Sequence, residues 1–190
     1  MSAPGRIRVI GGSLRNSRIE VPDLPGLRPT TDRVRETLFN WLLPVVEGAR
    51  CLDLFAGTGA LGIEALSRGA AGVTFVEREP RLVAALKANL VRLKATGGEV
   101  AGDDAARWLR GAARPFDLVF LDPPFALDLW ADAARALEDG GWLSPRAWIY
   151  VEAPRGTSFA LPDTWLPHRQ GTAGEVAYTL YRRTPADPLS

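Results

Sequence analysis

Cys51-Leu-Asp-Leu-Phe-Ala-Gly-Thr-Gly-Ala-Leu-Gly62 carries the strongest fold signal in this chain. The apolar run that begins at Cys51 predicts a short buried strand, and the apolar residues after Gly59 recur with helical spacing up to Gly69. Strand, glycine turn and helix are the arrangement that directs free backbone N–H groups at an adenosine-bearing ligand. The glycines let the backbone turn tightly and approach such a ligand with no Cβ in the way.

Asp53 bears on which kind of ligand this turn binds. Gly57, Gly59 and Gly62 match the dinucleotide fingerprint, so a nicotinamide or flavin enzyme is one alternative. A carboxylate at the end of a buried strand, however, needs a cationic or hydrogen-bonding partner. S-adenosylmethionine offers an ammonium group and a sulfonium there, whereas a pyrophosphate would be repelled. A third interpretation is that Asp53 only ties down its own turn.

Length and composition are those of a globular protein. The 190 residues suffice for one domain with a substantial core and a small appendage. No run of eighteen apolar residues and no signal-peptide pattern occurs, so we expect no membrane span and a cytoplasmic location. The single cysteine, Cys51, fits a reducing compartment, and with one histidine, His168, it leaves no credible metal cluster.

Positive charge is concentrated near the start of the chain, although the net charge is only +1. Residues 1–18 contain no acid, which is the informative feature because arginine is frequent throughout this sequence. Such a basic stripe is what a phosphate backbone requires. The candidate phosphate-binding arginines are Arg6, Arg8, Arg15, Arg18, Arg28, Arg33 and Arg35.

The basic stripe begins on a predicted β-hairpin. Residues 6–11 and 17–21 alternate basic or polar with β-branched residues, so the hairpin has one apolar and one arginine-bearing face. Because a two-stranded ribbon is marginal alone, we expect it to lean on the main domain. Residues 22–29 form a connector rich in proline and glycine.

Strands and helices alternate after the connector. A helix is predicted from Thr31 or Asp32, with Arg33 and Arg35 near its exposed start, where they meet either phosphate or solvent. The remaining pattern predicts a parallel sheet covered on both faces and closed by an antiparallel hairpin. The predicted strands span residues 51–55, 73–77, 100–102, 116–122 and 148–152, and the hairpin spans 164–170 and 175–182.

Acidic residues follow two of these strands. Glu77 lies twenty residues after Gly57, the position where an adenosine site places the acid that binds the ribose hydroxyls. Asp103 and Asp104 come after the next strand, and one of them could accept a hydrogen bond from the adenine amino group. Either could instead cap the helix that follows.

Asp122-Pro-Pro-Phe125 is the most specific motif of the chain. Two prolines cannot continue a central strand, so the backbone leaves the sheet at its carboxyl end, where ligands bind in such folds. Asp122 and the carbonyl of Pro123 then form a pair of acceptors, and Phe125 offers a flat face beside them. This combination suits a planar amine such as the exocyclic NH2 of a nucleobase. The alternative is a turn that only ends the strand.

Asp53-Leu-Phe-Ala-Gly-Thr-Gly59 together with Asp122-Pro-Pro-Phe125 resembles the amino-methyltransferases of the S-adenosylmethionine-dependent, Rossmann-like class. Further segments narrow the resemblance to the family of bacterial 16S ribosomal RNA guanine-N2 methyltransferases, and the match spans nearly the whole chain. These segments are Arg6-Ile-Arg-Val-Ile-Gly-Gly-Ser13, Leu27-Arg-Pro-Thr-Thr-Asp-Arg-Val-Arg-Glu-Thr-Leu-Phe-Asn40 and Gly174-Glu-Val-Ala-Tyr-Thr-Leu-Tyr181.

The resemblance implies an α/β fold with a seven-stranded sheet, an antiparallel C-terminal hairpin and a small N-terminal β-hairpin extension that contacts RNA. The implied division is 1–29 for extension and connector, 30–184 for the methyltransferase domain and 185–190 for a loose C-terminal end. The implied substrate is 16S ribosomal RNA in assembled or partly assembled small subunits, and S-adenosylmethionine is the methyl donor. We expect a monomer.

The candidate site residues fall into three groups. The cofactor-binding candidates are Asp53, Phe55, Ala56, Gly57, Thr58, Gly59, Glu77, Arg78, Asp103 and Asp104. The catalytic candidates are Asp122, Pro123, Pro124 and Phe125, and Thr30 joins the seven arginines as an RNA-binding candidate. Two other functions stay open: a methyltransferase for another planar amine, such as a DNA adenine or a protein glutamine, and a non-catalytic RNA-binding assembly factor.

Overall fold

The computed structural model describes residues 5–27 and 30–185, which fold into two sheets and five α-helices. The strands are β1 (Gly5–Arg8), β2 (Arg18–Val21), β3 (Arg50–Asp53), β4 (Gly72–Glu77), β5 (Gly98–Gly102), β6 (Phe116–Leu121), β7 (Leu143–Pro154), β8 (Trp165–Ala173) and β9 (Val176–Arg183). The helices are α1 (Asp32–Trp41), α2 (Ala60–Ser67), α3 (Pro80–Arg92), α4 (Ala105–Trp108) and α5 (Trp130–Asp139), with a 3-10 turn at Phe125–Leu127.

The main sheet has seven strands in the order β5-β4-β3-β6-β7-β9-β8. The first five are parallel, β9 runs antiparallel to β7, and β8 runs antiparallel to β9. The chain moves outward from β3 to β5 and then returns to β6, so the strand order reverses between β3 and β6. Ligands of open α/β sheets bind at the carboxyl ends of the strands beside such a reversal. The predicted fold class is confirmed.

Two apolar cores cover the two faces of this sheet. Helices α1, α2 and α3 and the N-terminal hairpin pack on one face, where Phe39, Phe75 and Phe120 are fully buried. Helices α4 and α5 pack on the other face, around Trp130 and Trp142. Burial on both faces explains why the central strands read as continuous apolar runs in the sequence.

The N-terminal hairpin is docked on α2 and α3, as the sequence predicted. The Ser13 N–H donates to the Ser67 carbonyl at 2.7 Å, and the Leu14 N–H donates to Ser67 Oγ at 2.9 Å. Asn89 of α3 exchanges two hydrogen bonds with the backbone of Glu20, at 3.1 and 2.9 Å. The inward face of the hairpin buries Ile7, Val9, Ile19 and Val21 in the core.

Strand boundaries differ from the prediction where the chain meets other elements. β1 ends at Arg8 instead of residue 11, because the N–H groups of Ile10 and Gly11 donate to the carboxylate of Glu64 in α2. β7 begins at Leu143, five residues early, because Leu143 pairs with Phe116 before the register shifts. Within the described ranges, no helix has the length and apolar character needed to cross a membrane.

Candidate active site

A large pocket opens at the carboxyl ends of β3 and β6. Its volume is about 760 Å³, within the range of small-molecule sites. All four catalytic candidates line it, and so do all the cofactor-binding candidates except Gly59, which caps the start of α2. The structure therefore brings together two groups of residues that lie up to 72 positions apart, from Asp53 to Phe125.

Four acidic side chains stand side by side along this edge of the sheet. Asp53 is in register with Phe75 of β4 and with Phe120 of β6, which itself pairs with Tyr150 of β7. Two residues beyond these three aromatic residues lie Glu77, Asp122 and Glu152, on the same face because side chains alternate along a strand. Glu152 was not predicted from the sequence; it follows a run of buried apolar residues and accepts a hydrogen bond from the pocket residue Thr30.

Asp53 is almost fully buried at the bottom of the pocket, with 2 % of its surface exposed. Its Oδ2 accepts a hydrogen bond from the Gly62 N–H at 3.2 Å, so Asp53 ties down the turn and also faces the pocket. Burial raises the pKa of Asp53 to about 8. The hydrogen bond from Gly62 lowers the pKa in part, and the charge of Glu77 adds a smaller increase. A cation in the pocket would favour the charged carboxylate.

Glu77 fixes the glycine turn. Its Oε1 accepts from the Gly57 N–H and its Oε2 accepts from the Glu79 N–H, both at 2.8 Å. Each carboxylate oxygen keeps a second acceptor position for a ligand hydroxyl. Gly57 has φ +56°, and a Cβ placed there would meet nothing within 4 Å, so the turn leaves open space on the pocket side.

Asp103 and Asp104 have different partners, although both line the pocket. Asp104 caps α4 by accepting from the Arg107 N–H at 3.1 Å, the capping role that the sequence left open for either residue. Asp103 accepts from the Asp104 N–H at 2.8 Å and lies 3.6 Å from the guanidinium of Arg107.

The Asp122-Pro-Pro-Phe125 segment leaves the sheet directly after β6, as predicted. Pro123 is buried, whereas Asp122 and Phe125 are half-buried and face the pocket. The Phe125 ring lies 5.9 Å from the ring of Trp130, whose Nε1–H donates to the Glu152 carbonyl at 2.9 Å. The flat surface offered by Phe125 is therefore backed by a buried, hydrogen-bonded tryptophan.

The connector supplies a further wall of the pocket, which the sequence did not predict. Leu24–Leu27 and Thr30 line the cavity together with the Asp122 motif. The Thr30 hydroxyl donates to Glu152 Oε2 at 3.2 Å. The division of the chain at residue 29 stays a prediction, and the connector contributes to the same pocket as the residues that follow it.

Five of the seven candidate arginines are exposed, namely Arg6, Arg8, Arg15, Arg18 and Arg33. Two of them face acids that lie outside the acid-free stretch. Arg6 is 3.4 Å from Glu20, and Arg8 is 3.8 Å from Asp32. Such exposed pairs are weak and can exchange for phosphate. Arg28 lies outside the described residues.

The prediction that Arg35 lies at the exposed start of its helix is wrong, because its side chain is fully buried. Its guanidinium donates to the Arg8 carbonyl at 2.9 Å and to Asp32. The docked hairpin covers this side of α1 and brings Arg35 close to Glu64. Burial raises the pKa of Glu64, and the charges of Arg68 and Arg35 offset part of this rise. Arg35 therefore fixes the hairpin to the domain.

The pocket is acidic, which bears on the ligands it can take. The charged residues that line it are acidic apart from Arg78, and they include Asp53, Glu77, Asp103 and Asp104. Such a lining disfavours a pyrophosphate and fits a ligand that carries an ammonium group and ribose hydroxyls. Within residues 5–27 and 30–185, no cluster of three or more histidine, cysteine or acidic side chains could hold a metal ion.

The seven-stranded sheet and the acidic pocket at its strand reversal define a Rossmann-like methyltransferase. Residues 7–182 match the family model described as conserved hypothetical protein 95, and the chain belongs to this family. It is 50 % identical to ribosomal RNA small subunit methyltransferase D of Escherichia coli K12, over 96 % of this chain and 92 % of that protein.

Two further comparisons agree with this family. The protein of the same name from Haemophilus influenzae is 43 % identical, over 95 % of this chain and 96 % of its own length. The solved structure of yhhF from Escherichia coli is 49 % identical and superimposes with a TM-score of 0.87, covering 95 % of this chain and 99 % of that chain. The resemblance inferred from the sequence is thereby confirmed.

Proposed function

We propose that this protein transfers the methyl group of S-adenosylmethionine to the exocyclic N2 of a guanine in 16S ribosomal RNA. The single observation that carries the proposal is the pocket in which Asp53 and the Asp122 motif face one cavity. Similarity to the small-subunit ribosomal RNA methyltransferases D supports the RNA substrate. The proposed partner is the small subunit or its assembly intermediate, and we propose a monomeric enzyme located in the cytoplasm.

The cofactor side of the pocket fits S-adenosylmethionine. Asp53 would bind the ammonium group, Glu77 the ribose hydroxyls, and Asp103 or Asp104 the adenine amino group. The open space beside Gly57 lets the ligand approach the backbone. When bound, the cofactor supplies a methyl group activated by a positively charged sulfur.

The Asp122 side of the pocket fits the amine that accepts the methyl group. The lone pair of guanine N2 is delocalised into the ring, so this nitrogen is a poor nucleophile. Asp122 and the Pro123 carbonyl would accept hydrogen bonds from its N–H groups and stabilise the positive charge that develops on nitrogen. The nitrogen gains the methyl group and loses one proton, for which the Asp122 carboxylate is the nearest proposed acceptor.

The guanine must leave its stack to reach this pocket. Phe125 would replace the lost stacking with its own ring, which is held in place by Trp130. Exposed arginines of the hairpin, with Arg33 at the start of α1, would bind the phosphates of the surrounding RNA.

A radiolabelled methyl-transfer assay tests the proposal directly. Small ribosomal subunits, naked 16S RNA, DNA and protein are offered in parallel, and the product is digested to nucleosides. We expect N2-methylguanosine from the ribosomal substrates alone. Methyladenine in DNA or methylglutamine in protein would instead identify one of the other amine methyltransferases. RNA binding without transfer to any substrate would identify a non-catalytic assembly factor.

A further inference from the structure

Glu152 is a buried carboxylate that contacts the pocket residue Thr30 and that the proposed reaction does not use. Only 2 % of its surface is exposed, and it stands beside Asp122 at the carboxyl end of the neighbouring strand. Its Oε2 accepts hydrogen bonds from two hydroxyl groups, Tyr150 at 3.1 Å and Thr30 at 3.2 Å. Burying a carboxylate is costly unless its hydrogen bonds are made, so this arrangement needs an explanation.

The two hydroxyl groups come from very different parts of the chain. Tyr150 is a fully buried residue of β7, and burial, followed by the charges of Glu152 and Asp122, raises its pKa well above the ordinary value. Tyr150 therefore stays protonated and donates to Glu152. Thr30 lies 122 residues from Glu152 in sequence, next to the connector whose residues Leu24–Leu27 line the pocket.

The strand order shows on which side of the pocket the contact between Thr30 and Glu152 lies. Asp53 and Glu77 come from β3 and β4, on one side of β6. Glu152 comes from β7, on the other side of β6. The cofactor candidates therefore lie on one side of Asp122, and Glu152 with Thr30 lies on the side left for the base.

We propose that Glu152 is a positioning residue, which acts through Thr30 to hold residues 24–27 as the base-side wall of the pocket. This inference rests on the proposed function and identifies the element that shapes its guanine site. The target base enters between the connector and Phe125, and Glu152 itself touches neither the base nor the cofactor.

Thr30→Val tests the contact with little change in shape, because it replaces the hydroxyl by a methyl group. Thr30→Ser is the matched control, since it keeps the hydroxyl. We expect kcat/KM for small subunits to fall on the order of tenfold in Thr30→Val, as for a hydrogen bond to a charged group. Thr30→Ser, which keeps the donor, should lose less of its kcat/KM than Thr30→Val. The affinity for S-adenosylhomocysteine stays unchanged in both variants.

Hydrogen exchange on the protein alone gives a readout independent of activity. The amides of Leu24, Gly26 and Leu27 exchange faster in Thr30→Val than in Thr30→Ser and the parent, because the wall is less firmly held. Glu152→Gln should speed exchange less than Glu152→Ala, because its amide oxygen can still accept the hydrogen bond from Thr30. Adding Thr30→Val to Glu152→Ala brings no further loss, as expected for two residues that act through one contact.

The proposal requires both the faster exchange and the lower kcat/KM in Thr30→Val. It is overturned if either stays at the parent value, or if affinity for S-adenosylhomocysteine falls by the same factor as kcat/KM. The proposed function fails separately, when the parent protein itself methylates no ribosomal RNA. In that case the exchange of residues 24–27 alone decides whether Glu152 holds the connector.

Discussion

Arg33 and Arg35 lie two residues apart in α1 and have opposite environments. Sequence analysis treated them alike, because the phase of the helix shows which residues share a face and not which face the hairpin covers. The structure exposes Arg33 and buries Arg35 under the hairpin, against the Arg8 carbonyl and Asp32. A charged residue near a helix start therefore cannot be assigned to RNA before its packing is known.

This difference predicts that substituting the two arginines has unequal effects on stability. Arg35→Gln should lower the free energy of unfolding by about 1–3 kcal/mol, because the fully buried side chain loses its hydrogen bonds to the Arg8 carbonyl and to Asp32. Arg33→Gln, the matched control, should change it by about 0.5 kcal/mol or less, as for an exposed side chain. Urea unfolding followed by circular dichroism measures both values. Equal effects of the two substitutions would contradict the assigned environments.

Asp122 is the residue on which turnover should depend. In Asp122→Ala we expect turnover to fall by roughly 100- to 1,000-fold, as for the loss of one preorganised polar group. Cofactor affinity should persist, because Asp53 and Glu77 approach from other strands. Single-turnover methyl transfer measures the turnover, and calorimetry with S-adenosylhomocysteine measures the cofactor affinity. A turnover equal to that of the parent would refute the role given to Asp122.

The burial of Asp53 should link cofactor binding to pH. Its pKa is raised to about 8, so below that pH the free protein holds a proton on this carboxyl. An ammonium group favours the carboxylate, so binding releases the proton and the affinity rises with pH. Between about pH 6 and about pH 8 we expect affinity for S-adenosylhomocysteine to increase by up to about tenfold per pH unit, and then to level off.

Asp53→Asn is the control for this pH dependence. The amide cannot titrate, so the affinity should be weaker and should no longer rise over the same interval. Calorimetry in two buffers of different ionisation enthalpy counts the released proton directly. An unaltered pH profile in Asp53→Asn would assign the titration to another group.

At the scale of elements, the strands and helices of the main domain were predictable because their periodicity is a local property of the sequence. Contacts between distant elements were not. Nothing local shows that Ile10 and Gly11 turn to Glu64, that Leu24–Leu27 line the pocket, or that Thr30 reaches Glu152. The Asp53 and Asp122 motifs were predictable as pocket residues because the carboxyl ends of parallel strands share one edge.

Because the hairpin is docked closely on α2, we expect Gly12 to tolerate no side chain. Gly12 has φ +79°, and a Cβ there would lie 2.0 Å from the Ser67 carbonyl oxygen. Gly48 has a similar φ of +75° with nothing within 4 Å of the same position. Gly48→Ala should cost about 1–2 kcal/mol for the left-handed backbone alone. Gly12→Ala should cost about 1–3 kcal/mol more, because it forces the hairpin away from α2.

Urea midpoints of the two alanine variants measure this difference. Both variants lose stability because of the left-handed backbone, so the additional loss in Gly12→Ala measures the contact with α2. Equal midpoints would show that the hairpin can shift at no cost.

At the scale of the whole molecule, exposed arginines lie on the hairpin and also near the amino end of β7, so their roles in RNA binding can be compared. Replacing Arg15 and Arg18 by glutamine should weaken binding to the small subunit and reduce its salt dependence. The slope of log K against log salt should drop by about 0.7–0.9 for each lost phosphate contact. Arg146, exposed near the amino end of β7, is the control and should leave the slope unchanged when replaced.

Filter binding at four or five salt concentrations gives these slopes. Equal slopes for the hairpin variant and the Arg146 variant would remove the hairpin from the RNA interface.

The last strand in the chain, β9, occupies an interior position, between β7 and the outermost strand β8. It pairs with β7 from Trp148–Arg182 to Pro154–Val176. Translation produces the N-terminal residues first. A nascent chain that stops before Val176 therefore leaves the edge of β7 unpaired, next to the acidic residues of the pocket. Completion of this edge of the sheet thus waits for the strand that begins at Val176, which is synthesised after all the residues that line the pocket.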